Sequence, residues 1–337
     1  MIDIFSGDPI LKPTLEHVLL NSLGGRLQVI GLVDEDTNIG FGKGIDAALG
    51  QAVQPIRLLL NAKGDRGGSP ATLNNIPLAD GRQATMESGG RVTLAAPRVI
   101  PEINPDGKLT RIHGLARSDR ELAQLTKRLR KEHSIALNDL LASTQHRSEA
   151  VTVQVSVTFT SDAQRCIAKM AAVLYAQARP DSFRSSAFNN VRRYVYAAET
   201  SEPHVMPLPT TVDYASNALG PVDHLLLVHE DGSTGCVEAL VALFGELHFG
   251  VYLGNAPLPN AGSWSYRIDQ ISGRDRSDDH HDLALTVPSF QHAVANPQQC
   301  LEGFAQANER LKGIVITLRD QLRRAGKATH GDTASEG

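Results

Sequence analysis

The sequence predicts an α+β fold: an N-terminal strand–turn–strand–helix unit followed by a larger mixed domain. Three observations carry this. Within residues 14–59, two short apolar runs flank a Ser-Leu-Gly-Gly turn and give way to apolar residues at helical spacing. Residues 151–159 alternate Val and Phe with Thr, Gln and Ser, the pattern of a strand. Three apolar runs between 223 and 253 read as a meander, set between helical stretches at 161–178 and 301–324.

Taken in order, Leu15-Glu16-His17-Val18-Leu19-Leu20 forms the first strand and Ser22-Leu23-Gly24-Gly25 its turn. Residues 26–33 form the second strand, and 34–37 are a polar break. From Ile39, apolar residues at 45, 48, 49, 52, 56 and 59 predict one helix, weakened at its start by Gly40, Gly42 and Gly44. Residues 61–73 are a loop by their Gly, Pro and Asp content. A hairpin is expected at 82–100 about Ser88-Gly89-Gly90. Ser118-x-x-Glu121 is a capping box for a helix to about 141, and Ser161 caps the next helix. Residues 184–196 predict a short helix. The expected domains are 1–75, 76–325 and a frayed tail at 326–337.

Composition limits the function classes. The chain has 337 residues, 41% hydrophobic and 21% charged, with a net charge of -4. That excludes a collagen, a full-length coiled coil, a disulfide scaffold and a wholly disordered chain, and it predicts about two domains. The acidic balance argues against wholesale coating of nucleic acid but permits a local basic cleft. Cys166, Cys236 and Cys300 form no C-x-x-C pair and suit a reducing compartment. No secretory signal opens the chain and no run of about 18 apolar residues occurs, so a cytoplasmic protein without a membrane span is expected.

The chemistry is concentrated in the first unit. An acid and a histidine, Glu16-His17, end a strand, and Asn38 follows near the start of a helix. A carboxylate and an amide oxygen suit one hard cation, Mg²⁺ or Mn²⁺. A neighbouring imidazole can take a proton from water while the metal neutralises developing phosphate charge. This is chemistry for a phosphodiester.

The run Leu15-Glu16-His17-Val18-Leu19-Leu20-Asn21-Ser22-Leu23-Gly24-Gly25 resembles the first motif of the HNH endonucleases, in the bacterial branch with an E-H-I-I-P-E-S-L-G-G run. Thr37-Asn38-Ile39-Gly40-Phe41-Gly42-Lys43-Gly44-Ile45-Asp46 is similar to that branch's C-N-x-x-F-G-x-x-I-D helix. Pro55 to Leu59 and Lys63 to Gly67 are also similar, and the likeness is strong over about 3–73. The resemblance implies a ββα-metal module. It implies His17 as the general base, Glu16 and Asn38 as ligands of one Mg²⁺ or Mn²⁺, and Asp46 as a supporting acid. Eight residues from Asn38 on one helix, Asp46 lies about 80° round the axis. The implied substrate is DNA, and defence is a frequent role of such nucleases. The larger domain would choose the substrate or bind an activator or protein partner, and an oligomer is compatible.

The departures from the family fall at its zinc site. Relatives usually carry two C-x-x-C pairs, where this chain has Asp3-Ile4-Phe5-Ser6 and Asp34-Glu35-Asp36-Thr37. Asp3, Ser6, Asp34 and Thr37 are poor zinc ligands but can replace the metal with side-chain hydrogen bonds. No structural zinc is expected. Two accounts therefore stand at this point: a nuclease that has dispensed with zinc, and a catalytically degenerate module that binds nucleic acid or protein.

Elsewhere plainer readings compete. Lys63 and Arg66 in a Gly-rich loop can hold phosphate or can simply be surface. Lys127-Arg128-Leu129-Arg130-Lys131 can meet a nucleic-acid backbone, though such a run is more often a solvated face. His224 and His229 fall on opposite faces of one strand and cannot share a metal.

Overall fold

The computed structural model of the chain describes residues 1–62, 71–78, 82–95, 98–103, 105–106, 109–115, 119–133, 157–199, 202–209, 222–257, 260–277 and 290–331. Helices and strands are both abundant, as an α+β chain requires. Pro13–His17 (β1) and Gln28–Asp34 (β2) pair antiparallel, with His17 opposite Gln28. The turn between them needs its glycines. Gly24 has φ +80°, and a Cβ on Gly25 would stand 1.8 Å from the Leu19 carbonyl oxygen.

The single helix expected from Ile39 to Leu59 is three: Glu35–Lys43 (α1), Ile45–Ala52 (α2) and Gln54–Leu60 (α3). The breaks have local causes. Gly44 takes a non-helical φ/ψ of -106°/-100°. Pro55 cannot continue a helix but fits the first turn of the next. α1 also starts earlier than expected, at Glu35. Asp34 is its N-cap, accepting from the Asp36 N–H. Asn38 therefore lies in the body of α1, and the single-axis relation between Asn38 and Asp46 does not hold.

The chain divides into two compact units, Met1–Pro70 with Val157–Gly337, and Ala71–Ser156. The expected boundaries at 75 and 325 are thereby replaced. Residues 1–62 share one hydrophobic core with residues far along the chain, running from Ile4, Leu19 and Leu49 to Met170, Leu226 and Val315. In the second unit, Leu73–Pro77 (β3), Gln83–Glu87 (β4) and Arg91–Leu94 (β5) form an antiparallel sheet. Its expected tight turn at Ser88-Gly89-Gly90 is present, both glycines having positive φ. Arg98–Ile103 (β6) pairs with Leu109–Leu115 (β7), and Asp119–His133 (α4) follows, with Lys127, Arg128 and Lys131 exposed.

In the first unit Ser161–Ala178 (α5) is almost wholly buried from Cys166 to Ala176, as a helix apolar on every side must be. Its cap is Thr160, one residue before the expected Ser161, with Oγ1 accepting from the Ala163 N–H. Pro180–Phe183 (α6) and Asn189–Ala197 (α7) follow. The expected meander is present: His224–Glu230 (β9), Cys236–Leu243 (β10) and Leu247–Asn255 (β11). Val205–Leu208 (β8) and Ser263–Ile268 (β12) extend it to the order β12-β9-β10-β11-β8. One face packs on α5. The other carries Leu225, Leu227, Leu240 and Ala242 against Ala293 of Phe290–Ala295 (α8) and Cys300 of Pro297–Gly331 (α9). Both faces are covered, which explains the nearly unbroken apolar run Leu225 to Val228.

Two further expectations change. The frayed tail does not begin at 326, because α9 continues to Gly331. Of the predicted strand at 151–159, residues 151–156 lie outside the described residues. Val157 to Phe159 are not strand; Phe159 instead sets its ring edge-on against Phe249 and Phe304. Ser118 of the capping box also lies outside the described residues. No helix among the described residues is long and apolar enough to cross a membrane.

Candidate functional site

Glu16, His17, Asn38 and Asp46 line one cavity of about 300 Å³, together with Asn21 and Ser22. The β1–β2 hairpin supplies the first two side chains. Asn38 comes from α1 and Asp46 from α2, so the break at Gly44 brings both residues to the same space. The Asn38 amide is fixed by its Nδ2, which donates to Thr14 Oγ1 at 3.2 Å and to the Leu15 carbonyl at 3.3 Å. The His17 Nε2 lies 2.8 Å from the Gln28 Nε2, its cross-strand partner.

Beneath the cavity lies a residue that the sequence did not announce. Lys169 of α5 is 0% exposed, and its Nζ stands 2.8 Å from Glu16 Oε1 and 2.8 Å from each oxygen of Asp46. The Phe41 ring faces the ammonium with its centroid 5.1 Å away. Cys166, one turn earlier on α5, donates its thiol proton to Asp46 Oδ1 at 3.3 Å.

The charges do not balance within this group, since two carboxylates share one ammonium. Burial opposes charge on Lys169, but Asp46 and then Glu16 outweigh it and hold the ammonium above its ordinary pKa. Burial pushes the Glu16 carboxyl up, against the pull of Lys169. Burial and Asp46 likewise keep Cys166 a thiol. The second carboxylate oxygen, Glu16 Oε2, is buried and has no hydrogen-bond partner among the described residues. Such an atom costs about 1–3 kcal/mol or more if nothing completes it.

Among the described residues no group of three His, Cys, Asp or Glu gathers to hold a metal ion. The side-chain oxygens that line the cavity belong to Glu16, Asp46, Asn38, Asn21 and Ser22, with both Asp46 oxygens already on Lys169. Mg²⁺ accepts a small protein share, because it keeps several waters and takes the rest from substrate phosphate.

Of the four positions likened to zinc cysteines in the sequence, Asp3, Ser6 and Asp34 take part in a hydrogen-bonded joint among the described residues and Thr37 does not bond into it. Asp3 is fully buried. Its Oδ1 accepts from the Phe5 and Ser6 N–H groups at 2.8 and 3.1 Å, and its Oδ2 accepts from the Asp34 N–H at 2.8 Å. Asp34 Oδ2 accepts from Leu11 and Lys12 at 2.9 and 2.8 Å. The N–H groups of Lys12 and Asp36 lead in holding the Asp34 carboxyl below its usual range. Ser6 Oγ accepts from the Asp8 N–H. Thr37 lines a separate cavity of about 510 Å³ with Asp34, Asp162 and Arg165. The Asp3 and Asp34 carboxylates thus tie the backbone of residues 5–6, 11–12 and 34–36 together.

Other candidates separate. Lys63 and Arg66 lie outside the described residues. His224 is buried between Gln270 Oε1 and the Phe244 N–H, while His229 is exposed and pairs with Ser263, so the two do not meet. The missed residue, Lys169, had one sequence signal: a lone charge within the otherwise uncharged stretch Cys166 to Ala176. No protein-family model, curated protein or solved structure matches the chain.

Proposed function

We propose that residues 1–60 are an HNH-like ββα module and that the protein is a Mg²⁺- or Mn²⁺-dependent endonuclease acting on DNA. One observation carries the reading. A buried carboxylate, Glu16, has one oxygen without a partner and a local excess of negative charge, at the wall of a cavity shared with His17 and Asn38. The likeness of residues 15–25 and 37–49 to HNH motifs supports it.

In this reading Glu16 and the Asn38 Oδ1 hold the ion, and the bonds from Asn38 Nδ2 to Thr14 and Leu15 orient that amide. His17 takes the proton of the attacking water, which requires its Nε2 to leave the Gln28 Nε2, a donor-only group 2.8 Å away. The ion, when bound, offsets the charge that develops on the phosphate. Asp46 acts from behind, through Lys169. Lys63 and Arg66 are proposed to hold the nucleic-acid backbone. The rest of the chain selects substrate or docks an activating partner.

A second reading, a catalytically silent binding module, is favoured by a specific observation: Glu16 Oε1 is already held by Lys169 and His17 Nε2 by the Gln28 amide nitrogen. Plasmid nicking with Mg²⁺, Mn²⁺ or EDTA, beside His17→Ala, decides between them. Metal-dependent cutting lost in the variant is expected. No cutting by the wild-type chain in either ion would favour the silent module.

A further inference from the structure

The geometry points to Lys169 as the resident cation of this site, so that a divalent ion binds only in competition with its ammonium. An ammonium has three donor hydrogens. Here three carboxylate oxygens, one from Glu16 and two from Asp46, lie at 2.8 Å, and an aromatic face closes a fourth side. Two carboxylates converging on one point is also the donor arrangement used for a hard divalent ion. The side chain is wholly buried on α5, so the ammonium is delivered from the core rather than from solvent.

The unpartnered Glu16 Oε2 shows that this internal cation leaves the acid group incompletely satisfied. An entering ion would meet the attraction of Glu16 and Asp46 together with the repulsion of Lys169, a few ångströms away. The position of Lys169 therefore sets how readily the site loads. Because α5 also packs on the large sheet, whatever shifts α5 alters loading. The inference rests on the nuclease reading for its purpose, but its test reads ion binding rather than cutting.

The experiment is Mn²⁺ titration of the full chain followed by electron paramagnetic resonance, for wild type, Lys169→Met and Lys169→Gln. Gln retains an N–H donor and removes the charge, on a shorter side chain that also carries a carbonyl oxygen, whereas Met removes charge and donor together at similar length. Both variants are expected to bind Mn²⁺ at least tenfold more tightly than wild type, and to lose the gain when Glu16→Gln is added. Both should also melt below wild type without the ion and recover in millimolar Mn²⁺.

Equal or weaker binding by both variants would overturn the proposal. So would a loss of stability that Mn²⁺ does not repair, which is what a purely structural ion pair predicts. Parallel nicking separates the two readings. Tighter Mn²⁺ binding without cutting by any form sustains the internal cation and sinks the nuclease. Cutting by wild type with unchanged Mn²⁺ affinity in the variants does the reverse.

Discussion

Replacing Asp3 with Asn tests how much the hydrogen bonds of one buried carboxylate hold the N-terminal loops together. Asp3 accepts three backbone N–H groups while fully buried. An asparagine can keep its oxygen on Phe5 and Ser6, but it then turns an amide N–H toward the Asp34 N–H. One bond to an ionised acceptor is lost, worth about 1.5–3 kcal/mol, and a backbone donor is left unpaired. Together they cost about 3 kcal/mol. In a unit of roughly 250 residues, each kcal/mol moves the melting midpoint by about 2–4 °C, so a drop of about 6–12 °C is expected. Thermal unfolding followed by circular dichroism, with and without EDTA, reads it. EDTA should leave the wild-type midpoint where it was. A variant that melts with wild type, or a wild type that EDTA destabilises as much as the substitution does, would refute the argument.

Two more expectations follow from single positions and from pH. Gly25→Ala places a Cβ 1.8 Å from the Leu19 carbonyl oxygen and should cost more than about 3 kcal/mol, whereas Gly40→Ala, in α1 with nothing near its Cβ, should be neutral or stabilise by up to about 1 kcal/mol; equal urea midpoints for the two variants would count against the turn geometry. Burial pushes His224 and His248 down to about 4. Unfolded imidazoles take a proton near 6.5, so between these values the unfolded chain binds more protons and stability falls as pH falls, by at most about 3 kcal/mol per histidine. Urea midpoints that stay flat from pH 7 to pH 4 in the wild type would contradict their burial as neutral rings.

Much of the fold was legible in local pattern, and the exceptions have physical reasons. The strands β9 to β11 announce themselves because each carries a near-continuous apolar run bounded by turn residues. The hairpin glycines are legible because Ser22-Leu23-Gly24-Gly25 has few other uses. After Asp34 periodicity predicts one helix where there are three, because it does not register that Gly44 and Pro55 each interrupt the hydrogen-bond ladder. The discontinuous first unit was not legible, because packing of α2 on α5 joins segments more than a hundred residues apart and leaves no local trace. Glu16, His17, Asn38 and Asp46 were selected by motif and do meet at one cavity. Lys169 is not legible in the sequence, because a helical lysine is ordinarily solvated, and it is the partners from β1 and α2 that make its burial tolerable.

The same ion pair sets an order on how the molecule is made. Asp46 and Lys169 are 123 residues apart in the chain. At about 5–20 residues per second, a ribosome needs roughly 6–25 s to add that stretch. During this interval the β1–β2 hairpin and α2 have left the tunnel with their acids uncompensated and their apolar faces open. The N-terminal segment cannot complete its core before α5 is synthesised. It is the part of the nascent chain on which a chaperone or a protease would have longest to act.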